Sequence, residues 1–319
     1  MVVSPEGVPR GLPWHSNFLQ DVGRPGDMIG RMTAPVTQAE TLGSMPLGAG
    51  EGARFFGAAR FPGLDCLTAT FRTHIYAAHT HETYVVGTVH AGCETWNARG
   101  ARHYAGPGDV LFNLPLDVHD GAPFGDGYSY RMTYPTVAFM QRVASVVCGR
   151  AVTGTPTFKA SVVRDPDGAR LFTGAHAALE HGLDALEGEE LLLRAYGRLL
   201  VLHADIHPAP LSREPGTMAR VRDAIEQRYA ESLTLAELAD IARLSTYHLI
   251  RVFRAEFGLT PHAYLVDVRV RRARDLLRAG LAPADVALCV GFADQAHLTR
   301  AFKARVGVAP GAYRRAMRG

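Results

Sequence analysis

His79 and His81 stand one residue apart in AHTHETYVVG, and His119 ends the stretch YAGPGDVLFNLPLDVH. Along a strand, residues i and i+2 share a face, so the pair presents two imidazoles on one side. A third imidazole supplies enough nitrogen donors for a divalent metal. The alternative is that the three histidines only line or cap a pocket. Glu82 directly follows His81 and points to the opposite face, so no carboxylate completes the set. Tyr84, Trp96, Phe112 and Tyr130 divide between core and pocket wall. The candidate effector-binding group is therefore His79, His81, Tyr84, Trp96 and His119, with His79, His81 and His119 as the candidate metal ligands.

A second constellation lies in the C-terminal third. Shifting the chain by 49 places His248, Leu249, Arg251, Phe253, Gly258, Pro261, Ala263 and Tyr264 on His297, Leu298, Arg300, Phe302, Gly307, Pro310, Ala312 and Tyr313. Such an internal repeat means one supersecondary unit used twice. In each copy a short amphipathic helix, a tight turn and a second helix follow in order, the pattern of a helix-turn-helix. The units span about 235–257 and about 283–306. The outward positions of the second helices are Thr246, Tyr247, Ile250, Arg251 and Arg254 in the first copy. In the second copy they are Gln295, Ala296, Thr299, Arg300 and Lys303. Arginine suits guanine or phosphate, and glutamine suits adenine, so these are the candidate DNA-binding residues.

Nothing else offers reactive chemistry. The chain shows no nucleophile elbow, phosphate loop or dinucleotide fingerprint, and no catalytic residue is assigned. The expected protein is not an enzyme. The four cysteines, Cys66, Cys93, Cys148 and Cys289, form no CxxC pair, which disfavours a zinc ribbon or a disulfide scaffold. No apolar run approaches the ~20 residues of a membrane span. The opening residues MVVSPEGVPRGLPWHSNF lack an apolar core, so a reducing, cytoplasmic compartment is expected.

These residues need elements to hold them. Residues 1–50, rich in Gly, Pro, Ser and Thr, read as a poorly ordered extension. An arm over a pocket, or a true start at Met28 or Met32, are the other readings. Residues 51–206 begin with short β-branched and aromatic runs at roughly ten-residue spacing, which suggests a small barrel or sandwich. Three helices follow, over 136–148, Asp167–Gly182 and Glu187–Ile206. The last two carry leucines at 171, 179, 183, 186, 192, 199 and 202. Residues 207–217 read as a Pro-rich linker and 218–319 as an all-α domain. The fold expected is thus a two-domain α+β protein, a β-barrel with flanking helices followed by two helix-turn-helix units. Charge divides along the same line. Thr217 onward carries +7 and the rest −4, so only the C-terminal third is suited to a polyanion.

The stretches LAELADIARLSTYHLIRVFRAEFGLTPHAYLVDVRVRRARDLL and VGFADQAHLTRAFKARVGVAPGAYRR resemble the DNA-binding domain of the AraC/XylS family of bacterial transcription regulators. The histidine pair, the PGD turn and the later histidine are similar to the cupin sensor attached to many members. The resemblance implies a sequence-specific regulator that binds double-stranded promoter DNA and responds to a small-molecule effector. It implies activation, hence contact with RNA polymerase, and pairing of two protomers through the leucine-bearing helices. It makes Thr260–Ala279 the helix that links the two readers. Ile250 and Ala296 depart from the polar residues many members carry there, which suits apolar contact such as a thymine methyl. The reading of a different class is a metal-dependent cupin enzyme fused to a DNA-tethering domain. No cofactor is required by the sequence beyond the metal the histidines could hold.

Overall fold

The computed structural model describes residues 47–182, 185–210 and 216–317. The expectations for residues 1–46 and for Leu183 fall outside them. Eight antiparallel strands build the N-terminal half: β1 (Gly52–Gly57), β2 (Leu64–Phe71), β3 (Tyr76–His79), β4 (Val85–Ala98), β5 (Ala101–Ala105), β6 (Asp109–Asn113), β7 (His119–Pro135) and β8 (Val162–Arg164). Their order is β1-β2-β7-β4-β6-β8, with β3 added to β7 and β5 to β4.

The long strands β4 and β7 form the spine, and a bend turns the sheet into a barrel-like cup. Register shifts between Val89 and Ala91, and again between Gly92 and Cys93. At that bend Gly92 (φ +71°) and Gly127 (φ +112°) bring two backbones together. A Cβ on Gly92 would strike the Gly127 carbonyl, so only glycine permits the close approach.

Alternation sorts the strand side chains. Leu67, Ala69, Phe71, Val89, Trp96, Tyr128, Tyr130 and Met132 fill the concave side. Cys66, Tyr84, Val86, Val110 and Phe112 face the helices. The helices on that face are α1 (Val137–Cys148), α2 (Pro166–His181) and α3 (Ala185–His203). Thr136 caps α1 by accepting from Phe139 N–H, and Gly149 ends it in the left-handed region. Leu186, Leu192 and Leu199 of α3 are fully buried within this one chain, and Leu171 and Leu179 are half-buried against the same core. Of the described leucines in the stripe only Leu202 is exposed, at 54%. The stripe's first task is therefore to cover the sheet, as one face of any surface helix does.

The C-terminal half holds α4 (Thr217–Gln227), α5 (Leu235–Ala242), α6 (Thr246–Phe257), α7 (Pro261–Arg278), α8 (Pro283–Cys289), α9 (Gln295–Val306) and α10 (Pro310–Ala316). Local chemistry sets these boundaries. Thr234 and Glu237 form a reciprocal capping box at α5. Ser245 caps α6 and Asp294 caps α9, positions 49 apart, while Gly258 and Gly307 end the same helices in the left-handed region. Thr260 caps α7, with Pro261 in its first turn. Arg269 of α7 is buried, donates to the carbonyls of Tyr229 and Glu231, and lies over the Phe292 ring. It joins the linker helix to the loop before the first helix-turn-helix unit and to Phe292 of the second.

Several strands differ from the sequence reading. Where short runs at ten-residue spacing were expected, Val85–Ala98 is one strand, β4, which continues through the bulge at Gly92. β7 starts at His119 and runs through Gly121, Pro123, Gly125 and Gly127 to Pro135. β3 and β8 are short and exist through pairing with the distant strands β7 and β6.

Candidate functional site

The cup and the recognition helices are the two places where functional residues meet. In the cup, pairing of β3 with β7 sets His79 opposite His119, and His81 follows just beyond β3. The three rings converge, with centroids 4.6 to 5.1 Å apart. Their available ligand atoms all lie within 4.8 Å of one another.

Hydrogen bonding fixes which nitrogens are free. Nδ1 of His79 is 2.7 Å from the Ala77 carbonyl, and Nδ1 of His119 is 2.8 Å from the Asp117 carbonyl. A carbonyl only accepts, so each Nδ1 carries a proton and each ring turns its Nε2 into the cup. This is how metal-binding imidazoles are oriented from behind. Nε2 of His79 lies 3.0 Å from Nε2 of His81. Burial, with the neighbouring His119 and His79, pushes His81 down to about 4. Burial also lowers His119, against the bond to the Asp117 carbonyl. These two rings are therefore neutral at pH 7, and the donor set fits a divalent transition metal. Glu82 is exposed, on the outer side that alternation assigns it.

Behind the histidines is a cavity of about 40 Å³. Trp96 and Tyr130 line it, as do Tyr76, Glu94, Asn113 and Tyr134, which the sequence reading did not single out. Glu94 is buried, and burial lifts its carboxyl to about 8, so it stays protonated at neutral pH. Glu94 shares a face with Trp96, an i, i+2 relation in a strand that could have flagged it. Two buried polar atoms on this wall have no partner, Trp96 Nε1 and Asn113 Oδ1, and the Glu94 carboxyl has the Tyr128 hydroxyl beside it. Tyr84 must be corrected. It lies on the helix-facing side, fully buried, and its hydroxyl donates to the Pro156 carbonyl at 2.7 Å. Phe112 is on that side too, stacked on Phe158.

The two recognition helices, α6 and α9, are placed very differently. On α9 the outward residues Gln295, Ala296, Arg300 and Lys303 are exposed and Thr299 is half-buried. On α6 the matching face meets the N-terminal half. Ile250 is only 3% exposed, Thr246, Tyr247 and Arg251 are half-buried, and Arg254 alone is open. The Tyr247 ring sits on Gly197 in the middle of α3, where a Cβ would strike it. Ser245 donates to the Val146 carbonyl of α1 at 3.0 Å, and Arg251 donates to the Ala209 carbonyl at 3.3 Å. Glu190 of α3, also buried, accepts from His262 N–H at the start of α7 at 2.9 Å. The apolar core runs without a break from the sheet through α3 into α5, α6 and α7.

Comparison with known proteins gives matching assignments for both halves. Residues 61–196 match the AraC-like ligand binding domain, and residues 238–316 match a helix-turn-helix domain. The HTH-type transcriptional regulator YbfI of Bacillus subtilis is 29% identical over 222 residues, 69% of this chain and 80% of its own. The arabinose operon regulatory protein of Salmonella typhimurium is 29% identical over 245 residues, 72% of this chain and 83% of its own. Among solved structures, the DNA-binding domain of AdpA in complex with a target DNA is 30% identical. It aligns with 32% of this chain and 93% of that one, at a TM-score of 0.31. No helix among the described residues is long and apolar enough to cross a membrane.

Proposed function

The chain belongs to the AraC/XylS family of transcription regulators, and we propose that it is a ligand-responsive activator whose sensor domain restrains its first DNA reader. DNA binding and a ligand-binding domain come with the family. The restraint is supported by one observation: two repeats that share eight aligned residues present their outward faces at different exposure. Ile250 is covered by the sensor side, whereas Thr299, its counterpart 49 residues on, is half-buried among the exposed Ala296, Arg300 and Lys303. A helix cannot enter a major groove while its reading face is packed on protein. Effector binding in the cup would release α6 by favouring an arrangement in which α3 and α6 separate.

Within this reading the DNA contacts are Thr246, Tyr247, Ile250, Arg251 and Arg254 on α6. On α9 they are Gln295, Ala296, Thr299, Arg300 and Lys303. His79, His81 and His119 hold a divalent metal, supported by their converging rings and by the backbone carbonyls that orient His79 and His119 from behind. Activation, contact with RNA polymerase, homodimer formation and a cytoplasmic location rest on family membership alone. An enzyme fused to a DNA tether is not favoured, because the relatives matched across both halves are regulators.

The test is a Gly197→Ala chain on a reporter carrying a promoter recovered by selecting genomic fragments on the protein. Without added metabolite, transcription should exceed that of the unaltered chain. A folded Gly197→Ala protein with unchanged output would overturn the restraint.

A further inference from the structure

We propose that the cup binds a small 2-hydroxy carboxylate that chelates the metal on His79, His81 and His119 and satisfies the orphaned polar wall behind it. The proposal rests on the metal reading above and adds the class of ligand. Each part of the ligand is called for by a separate observation.

The donor set supplies charge and vacancies. Among the described residues the cluster contains three histidines and no carboxylate. Three neutral nitrogens leave a divalent ion its full double charge and open coordination positions, which favour anionic oxygen donors. A carboxylate with an oxygen on the adjacent carbon fills two such positions at once, as a single carboxylate held by one oxygen does not.

The wall selects which oxygen. The indole N–H of Trp96 can only donate, so it needs an acceptor, which a carboxylate oxygen provides. Asn113 Oδ1 can only accept, so it needs a donor, which a hydroxyl provides and a keto oxygen does not. Glu94 lines the same cavity, with the Tyr128 hydroxyl beside its carboxyl, and adds polar character to the wall. A buried polar group left unpaired is costly, so a ligand that pairs these atoms gains over one that leaves them.

The space sets the size. The cavity is about 40 Å³, room for roughly three waters. Val85, Leu111 and Met132 give it an apolar side suited to one short alkyl group. A hydroxy acid of two or three carbons fits this description.

Cobalt(II) loaded onto the full-length chain gives an optical readout of the ligand field. Lactate and glycolate are titrated beside pyruvate, propionate and 1,2-propanediol, following the cobalt visible bands and the thermal midpoint. Lactate or glycolate should change the bands and raise the midpoint of the loaded protein, but not of the metal-free protein. Pyruvate should bind about tenfold more weakly, because Asn113 stays unpaired, and propionate and propanediol more weakly still. In Trp96→Phe, which keeps an aromatic ring, lactate binding should weaken about tenfold at equal cobalt content. Cobalt bound with bands indifferent to every hydroxy acid would overturn the proposal and leave the metal site standing. Equal binding of propionate and lactate would overturn it too. Failure to take up cobalt would remove the metal reading and the proposal together.

Discussion

Burial sets the proton count of the cup. Glu94 ordinarily ionises near 4.5, and in the folded chain it is lifted to about 8 by desolvation. A raised carboxyl adds stability that is fully present below the unfolded pKa and is lost as pH rises through the folded one. Relative to Glu94→Gln, which cannot ionise, the unaltered metal-free protein should therefore fall behind as pH climbs from about 5 to 8.5. A tenfold change in an ionisation constant is worth about 1.4 kcal/mol, so the gap should reach a few kcal/mol. Thermal midpoints of the two proteins across that range check this, and a gap independent of pH would show that Glu94 is ionised in the fold. His119→Ala should abolish cobalt uptake, because it removes one of three donors, while Glu82→Ala should leave uptake intact, its side chain being exposed. His79 and His81 were legible as a pair from their two-residue spacing, although β3 ends at His79 and His81 reaches the cup from the segment beyond it. Glu94 and Asn113 were not, because whether one polar residue on a strand is buried depends on what closes over it. Tyr84 was misplaced for a related reason: aromatic side chains suit either face of a sheet, and only the Pro156 carbonyl shows which one it took.

Elements whose boundaries are written locally were the most legible ones. α5, α6 and α9 carry caps, stops and apolar periodicity within a few residues of each end, and the 49-residue repeat supplied a second copy of the same pattern. β3 and β8 carry nothing comparable, since their identity lies in the strands they pair with. Gly197 reads as a weakness in the middle of a helix, worth about 1 kcal/mol against alanine. Its reason, the Tyr247 ring on the far side of an interface, cannot be seen from its neighbours in sequence. The leucines of α2 and α3 likewise suggested pairing between protomers, whereas most of those described are consumed inside the chain. Arg269 shows the same limit: it reads as one more basic residue on an arginine-rich helix, yet it is buried and holds two carbonyls. Arg269→Met keeps the apolar stem and leaves the Tyr229 and Glu231 carbonyls without this donor. It should cost ~2–4 kcal/mol in denaturant unfolding, more than Arg271→Met, whose partner Asp267 is partly exposed. Equal costs for the two would mean that the buried contacts of Arg269 contribute no more than a surface ion pair.

The whole molecule is poised between closure and DNA. Apolar packing and the bonds of Ser245, Arg251 and Glu190 hold α6 against the sensor side. Opposing them, a cleft of about 290 Å³ sets Arg194 and Arg198 of α3 facing Arg251 and Arg254 of α6. Arg194 and Arg198 are partly offset by Glu190 and Asp165, but like charge across a cleft still weakens closure. The charge division, +7 on the C-terminal third against −4 elsewhere, draws DNA to the readers alone. The 18 residues of α7 span ~27 Å, so two freed readers can reach successive major-groove segments about 10 base pairs apart. Closure then makes the two matched arginines unequal. In the unaltered chain without effector, Arg300→Ala should weaken operator binding by ~1–3 kcal/mol if it reads guanine. Arg251→Ala should change it little or improve it slightly, because the arginine is not yet on DNA and its bond to the Ala209 carbonyl helps closure. In a Gly197→Ala background, where the ring of Tyr247 is displaced, Arg251→Ala should cost the same ~1–3 kcal/mol as Arg300→Ala. Footprints should show one protected segment in the first case and two in the second. Binding isotherms of these single and double variants on one operator decide the matter. An Arg251→Ala cost that is the same with and without Gly197→Ala would mean that α6 reads DNA freely and that its contact with the sensor side restrains nothing.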